Sequence, residues 1–355
     1  MININMIELF KERKRILITG GAGFIGGTVV RRLIREKSLL IFNLDKLGYA
    51  SNLTSIKKTI NSINPVENNN YQFLKVDLSD LNLTREAVKF ANPDLVMHLA
   101  AESHVDRSIA GPIEFINSNI IGTFNLLESI REHFELLPES RRTSFRFHHI
   151  STDEVFGSLS EEGYFVEETP YSPRSPYSAS KASSDHLVQS WFHTYGIPIV
   201  ITNCSNNYGP RQFPEKLIPL TIINALLDKK IPLYGDGKNV RDWLYVDDHV
   251  EALILAANRG EIGECYCIGG NSEKNNLQII NMICKLLDEL IPHKSSHSKL
   301  IEYVKDRPGH DRRYAINPKK IKSELGWMPS TTFEDGLFNT VNWYINNKEW
   351  WLPLL

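Results

Sequence analysis

The chain has 355 residues, of which 42% are hydrophobic and 23% charged. That is ordinary globular usage and disfavours disorder, collagen and coiled coil. Lys plus Arg is 40 and Asp plus Glu is 42, a formal net charge of −2, which gives no basic surface for nucleic acid or an anionic membrane.

At roughly 150 residues per domain, the length predicts two domains or one large one. Met1 to Phe10 is mildly apolar and is followed by the charged run Lys11 to Arg15. A signal peptide has the reverse order, so residues 1–13 read as a short N-terminal extension. Arg15 to Thr19 is an apolar run ending in glycines, as a buried parallel strand does. Helical periodicity follows from Phe24 to Ile34. Further strands are predicted at 39–45, 73–77, 94–99, 145–150 and 199–203, with a long helix over 112–133 and another over 178–195. The polar, Asn-rich segment 61–70 reads as a surface loop. This alternation predicts an α/β fold, a Rossmann-like doubly wound parallel sheet.

After about Asn206, prolines at 210, 214, 219 and 232 break the chain into short elements. Apolar helices recur at 217–227, 249–257 and 277–290. This predicts a smaller mixed α/β C-terminal lobe. The division expected is 1–13, 14–205 and 206–355, with about 240–260 returning to the first lobe. Cys204, Cys265, Cys267 and Cys284 are too few for a disulfide scaffold and do not match a paired C-x2-C zinc site, so no metal is expected. Cys265 and Cys267 would share one strand face. Buried, reduced thiols suit a cytoplasmic protein, and no apolar run approaches the roughly 18 residues that cross a bilayer.

Gly21, Gly23 and Gly26 form G-x-G-x-x-G, and Gly20 extends it. A strand before and a helix after make this a dinucleotide turn, with phosphates resting on a helix N-terminus. Asp45 ends the next strand. A carboxylate there accepts from ribose hydroxyls and repels a 2′-phosphate, which favours NAD. Asp77-Leu78 closes the third strand, where an acid reaches the adenine amino group. Leu99-Ala100-Ala101-Glu102-Ser103 follows the fourth with small residues that let a cofactor lie close.

Tyr177 and Lys181 are four apart, on one helix face. A neighbouring ammonium and a nicotinamide cation both favour the phenolate, so Tyr177 is a candidate base. Thr152-Asp153-Glu154 leaves the fifth strand at its carboxyl end, where open α/β sheets place ligands. Thr152 can reach a substrate hydroxyl beside Tyr177. Two adjacent carboxylates exceed what alcohol oxidation needs; held in different environments, they split into an acid and a base.

Together these motifs resemble the extended short-chain dehydrogenase/reductase superfamily acting on nucleotide sugars, and within it the dTDP-glucose 4,6-dehydratases. The likeness runs from about Lys14 to Trp343. It is carried by LAAESHVDRSI from Leu99, STDEVFGSL from Ser151, SPYSASKASSDHLV from Ser175, NCSNNYGPRQFPEKLIP from Asn203, GDGKNVRDWLYVDDH from Gly235 and DRPGHDRRYAI from Asp306. The resemblance implies NAD as cofactor, dTDP-glucose as substrate and a homodimer. It implies oxidation at C4 by Tyr177, Thr152 and Lys181, then water loss across C5 and C6 with Glu154 as base and Asp153 as acid. It places Gly20, Gly23, Phe24, Ile25, Gly26, Asp45, Lys46, Leu47, Gly48, Asp77, Leu78, Leu99, Ala100, Ala101, Ser103, Ser118, Tyr177, Lys181 and Asn207 at NAD. It places Ser103, Thr152, Asn206, Lys216, Leu217, Pro232, Leu233, Tyr234, Arg241, Asn276, Asp306, Arg307 and His310 at the substrate. Arg241 and Arg307 suit a diphosphate, which a planar guanidinium grips bidentately.

Arg211-Gln212 departs from the family pattern, which has an aromatic residue at the first position; Val246-Asp247-Asp248-His249 has Asp where Glu is common. Three alternatives stay open at this stage. One is a 4,6-dehydratase of another nucleotide hexose, such as UDP-glucose. The second is a UDP-hexose 4-epimerase or UDP-glucuronate decarboxylase, against which the acid pair counts. The third is a non-enzymatic NAD-sensing protein, against which the intact Tyr, Lys, Thr and acids count.

Overall fold

The computed structural model describes residues 6–63, 70–291 and 294–355. Its centre is a seven-stranded parallel sheet in the order β10-β6-β5-β4-β1-β2-β3. The strands are β1 (Arg15–Thr19), β2 (Leu40–Asp45), β3 (Tyr71–Lys75), β4 (Leu95–His98), β5 (Arg146–Thr152), β6 (Ile199–Cys204) and β10 (Cys265–Ile268). The strand expected at 73–77 starts and ends two residues earlier. Both faces are covered, and period-two alternation deals the side chains between them. Ile16, Ile18, Leu95 and Met97 enter one core, under the helices Phe24–Leu33 and Val246–Arg259. Leu17, Val96, Phe147 and Ile201 enter the other, under Leu81–Ala91, Gly122–Leu136 and Pro176–Tyr195.

The segment that returns to this sheet runs further than 240–260. After the helix Val246–Arg259, β10 pairs with β6. The helix Lys319–Leu325 also packs there, with Ile321 and Trp327 in the same core. Cys265 and Cys267 lie two apart on β10, and all four cysteines are free thiols. The remaining chain forms a second body. It contains the sheet β11-β9-β7 (Glu273–Asn275, Val240–Tyr245, Asn206–Tyr208) and the pair β12-β8 (Ile301–Val304, Ile231–Tyr234). The helices Leu217–Leu226, Asn276–Leu290 and Phe333–Asn346 close around its own core.

Three local expectations change. Residues 61–63 of the expected loop belong to the helix Thr54–Ile63, Asn70 is buried, and 64–69 lie outside the described residues. The N-terminal stretch is not a bare appendage: Met6, Leu9 and Phe10 are buried in the first core, and Arg13 Nε donates to the Ser144 carbonyl at 2.6 Å. The long helix over 112–133 is interrupted. Ile113–Phe115 is α-helical, Ile116–Ile121 is a π-helix, and Gly122–Leu136 is α-helical again. Among the described residues, no helix is long and apolar enough to cross a membrane.

Candidate active site

The strand order reverses between β1 and β4, so their carboxyl ends part and leave a crevice there. Gly20 leaves β1 at φ 71° and lies against the 99–100 backbone; a Cβ there would stand 2.7 Å from Ala100 Cα. A Cβ on Gly26 would stand 2.2 Å from the Gly20 carbonyl oxygen. Only glycine fits either place, and the helix Phe24–Leu33 thus starts directly on the turn. Asp45 ends β2 facing this turn. Its carboxylate accepts from Ala22 N at 3.0 Å, Leu47 N at 2.8 Å and Ser51 Oγ at 2.9 Å.

A cavity of about 330 Å³ runs from the glycine turn to the end of β5. Its wall includes Gly20, Gly23, Phe24, Ile25, Gly26, Asp45, Lys46, Gly48, Asp77, Leu78, Leu99, Ala100, Ala101, Ser103 and Ser118. It also includes Thr152, Asp153, Glu154, Tyr177, Lys181, Asn206, Asn207 and Lys216. Leu47 is exposed at the rim and does not line it. Ser118 comes from the π segment. The next residue, Asn119, donates to the Glu102 carbonyl at 3.0 Å and to Ser180 Oγ at 2.8 Å, tying the strand-end loop to the Tyr177 helix.

That helix is well specified locally. Ser175 caps it in a box with Ser178, Pro176 occupies the first turn, and Gly196 ends it left-handed. Tyr177 and Lys181 are both buried on it, and Lys181 Nζ donates to the Ile150 carbonyl at 2.9 Å. Asp185, one turn further, receives His149 Nε2, Ser151 Oγ and Tyr171 Oη at 2.7–2.9 Å and favours the Lys181 ammonium. Burial pushes the Lys181 ammonium down and the Tyr177 phenol well up. Glu154 pushes Tyr177 further up, and the Thr152 hydroxyl works the other way. The sequence points to Lys181 as the group drawing Tyr177 down; the structure makes burial and Glu154 the larger influences.

β5 delivers the acid pair. Thr152 is its last residue and its hydroxyl caps the short turn Asp153–Phe156 by accepting from Glu154 N at 3.3 Å. Asp153 is 2% exposed, and one carboxyl oxygen has no hydrogen-bond partner. Burial and Glu154 raise its pKa well above the usual range. Glu154 is also raised by burial, but Arg307, Arg241 and Lys216 all oppose that rise. Neighbouring carboxyls are thus held in different electrostatic surroundings.

The substrate candidates divide in the same way. Lys216 Nζ donates to the Ser103 carbonyl at 3.0 Å, across the cleft mouth. Arg241 is buried under the Tyr314 ring at 4.2 Å and donates to the Asp311 carbonyl. Arg307 meets Asp106 at 3.3 Å, and Asp306 meets His310 at 2.6 Å. Pro232 and Tyr234 are half-buried on β8, Asn276 begins its helix, and Leu217 packs on the second core. Leu233 is 1% exposed, and its side chain packs in that core.

The sequence reading passed over several wall residues: Tyr49, Ser51, Ser151, Cys204, Ser205, Gln212, Phe213 and Glu215. Cys204 and Ser205 end β6, and the strand-end rule used for β4 and β5 would have found them. Tyr49 has a partner far off in sequence: its hydroxyl donates to Glu215 at 2.8 Å, and Arg107 stacks on its ring at 3.7 Å.

A glycine turn at a sheet's switch point, with Tyr and Lys one helical turn apart across the cleft, defines a Rossmann-type enzyme of short-chain dehydrogenase/reductase architecture. Comparison with known proteins narrows the class. The chain belongs to the GDP-mannose 4,6 dehydratase family, whose model matches residues 17–340. It is 53% identical over 348 residues to the dTDP-glucose 4,6-dehydratase of Neisseria meningitidis serogroup B, covering 96% of each chain. The fold matches the dTDP-glucose 4,6-dehydratase of Bacillus anthracis in complex with NAD, with TM-score 0.82, 44% identity and 96% and 99% coverage. It matches the Streptomyces venezuelae enzyme of that name, also with NAD bound, with TM-score 0.84, 41% identity and 96% and 100% coverage.

Proposed function

We propose that this chain is a dTDP-glucose 4,6-dehydratase, a hydro-lyase that converts dTDP-glucose to dTDP-4-dehydro-6-deoxy-glucose and water. The observation that carries the reading is the contrasted pair Asp153 and Glu154, in one cleft with Tyr177, Lys181 and a dinucleotide turn. The turn fits NAD, because glycines leave the helix N-terminus open to a diphosphate and Asp45 faces the ribose position.

Bound NAD would supply the redox chemistry, as hydride acceptor for C4 and hydride donor for C6. Tyr177 takes the proton of the C4 hydroxyl, with Thr152 orienting that hydroxyl. Burial holds this phenol protonated, and the positive charge of a bound nicotinamide would oppose that. The C4 ketone acidifies the C5 proton, which Glu154 removes; Lys216, Arg241 and Arg307 keep that carboxylate ionised. Asp153, protonated by burial, hands its proton to the departing C6 hydroxyl, which leaves as water. A proton then returns to C5. Lys216, Arg241 and Arg307 also face the diphosphate of the sugar nucleotide. The two bodies of the chain, 14–205 and 206–355, meet at this cleft, with Val246–Ile268 and Lys319–Trp327 counted with the first. The product is a precursor class for deoxysugars such as dTDP-rhamnose.

Incubation with dTDP-glucose and NAD should give the alkali-sensitive 4-keto-6-deoxy chromophore. Product from UDP- or GDP-hexoses and none from dTDP-glucose would overturn the nucleotide assignment.

An exposed apolar row supports a homodimer. Ile113, Ile116, Ile121 and Phe124 are exposed along one helical stretch, and Phe124 meets Trp191 of the neighbouring helix edge-on at 5.9 Å. Apolar side chains in such a row favour a partner surface. Sedimentation should give about twice 40.6 kDa, and Ile113→Asp should shift it towards the monomer; a wild-type monomer rejects the assignment. Four free thiols suit the cytoplasm, and recovery in the soluble fraction of cells checks this.

A further inference from the structure

A second cavity, of about 220 Å³, lies between the helix Thr54–Ile63 and the C-terminal helices. It shares no wall residue with the first. Ser55, Thr59 and Ser62 bring hydroxyls to one side, and Arg211, Trp343 and Trp350 form the other. Arg211 is held at φ 72°, a left-handed conformation that a side-chain-bearing residue adopts at a cost. Its guanidinium lies over the Trp343 ring at 5.2 Å. Among the described residues it has no hydrogen bond and no carboxylate within ion-pair distance.

The surrounding charge leaves the guanidinium unbalanced. Asp247 acts on Arg211 from a distance, and it acts on Arg31 as well; the two arginines repel each other. Lys58, on the same wall, is turned to Glu349 at 3.4 Å. The buried indole N–H of Trp350 meets no acceptor. A guanidinium has five donors and no acceptor, and its planar fork matches an oxyanion. The Thr59 and Ser62 hydroxyls give their protons to the Ser55 and Thr59 carbonyls, so the Arg211 guanidinium is the main donor on this wall.

We propose that this pocket binds a small oxyanion, a phosphoryl or carboxylate group, gripped by Arg211 over Trp343. The site is separate from NAD and from the sugar nucleotide. It is one residue from the cleft, because Gln212 lines the first cavity and donates to the Asn207 carbonyl at 2.9 Å.

The test uses the purified full chain with NAD bound, at constant ionic strength set with sodium chloride. Inorganic phosphate and acetate are titrated separately, and the melting temperature is followed for wild type and Arg211→Met. At ten times the dissociation constant, the effective anion should raise the wild-type melting temperature by roughly 2 °C. Arg211→Met should lose that rise. A response to phosphate alone assigns a phosphoryl ligand, and a response to acetate alone a carboxylate. Anion binding in the first cleft survives in Arg211→Met, so an equal rise in both proteins overturns the proposal, as does no rise with either anion. If Arg211→Met does not fold, Arg211→Lys replaces it: charge is kept, the fork is lost, and anion affinity should fall about tenfold. Unchanged affinity in Arg211→Lys overturns the bidentate grip.

Discussion

Glu154→Gln protein should oxidise C4 of dTDP-glucose and then stop. The substitution keeps the shape and removes the charge, so the hydride step, which depends on Tyr177, survives. Loss of the C5 proton does not. General-base removal costs on the order of 10²–10⁴ in rate, so overall kcat should fall by that factor while reduced cofactor accumulates to about one per active site. Rapid-mixing absorbance of the reduced nicotinamide, followed beside product release, reads both steps. Turnover near that of wild type, or loss of both steps together, rejects Glu154 as the base. The pH dependence has a definite sign. Burial raises the Glu154 pKa, and the group must be ionised to act, so elimination is lost as pH falls through that raised value. Asp153 must be protonated, and its pKa is raised well above the usual range, so elimination is also lost as pH climbs through it. The pH profile of elimination is bell-shaped.

Tyr177→Phe should fail one step earlier. The ring still packs edge-on against Phe115 at 6.3 Å, so the helix and cleft are retained. What is lost is the group that takes the C4 hydroxyl proton. Turnover should fall by roughly 10²–10⁴, and no reduced cofactor should accumulate, which separates this variant from Glu154→Gln. Burial raises the phenol pKa, so wild-type oxidation should be lost as pH falls, because the proton must leave before the phenol can act. A Tyr177→Phe protein that accumulates reduced cofactor at the wild-type rate would rule Tyr177 out as the base.

How far these roles are legible in the sequence depends on how compactly each is encoded. The dinucleotide turn occupies seven residues, Gly20 to Gly26, and each glycine has a local steric reason. Tyr177 and Lys181 are visible because four residues make one helical turn. The proton balance of Tyr177 is not visible, because it depends on burial and on Glu154, 23 positions upstream in sequence. The grouping of Lys216, Arg241 and Arg307 around Glu154 joins three separate elements; the family likeness names them, but spacing alone does not. For β10 the strand face shared by Cys265 and Cys267 is legible but its place in the sheet is not, because its partner β6 is some 60 positions earlier. On β8 the side chain of Leu233 points into the core while those of Pro232 and Tyr234 are half-buried, an alternation the strand period sets.

The π-helix at Ile116–Ile121 sets the phase of the surface it sits on. Ile116 and Ile121 are five apart. In an unbroken α-helix, five residues advance about 500°, leaving the two about 140° out of step around the axis. A turn bonded from i to i+5 takes up the extra residue and brings such positions back towards one line. The apolar row Ile113, Ile116, Ile121 and Phe124 therefore holds its direction only because the helix slips its period once. The slip falls at the turn that carries Ser118 to the cofactor cleft and Asn119 to the Tyr177 helix. A single irregular turn thus fixes, in one piece of backbone, the angle between the exposed apolar row and the face that meets the cleft.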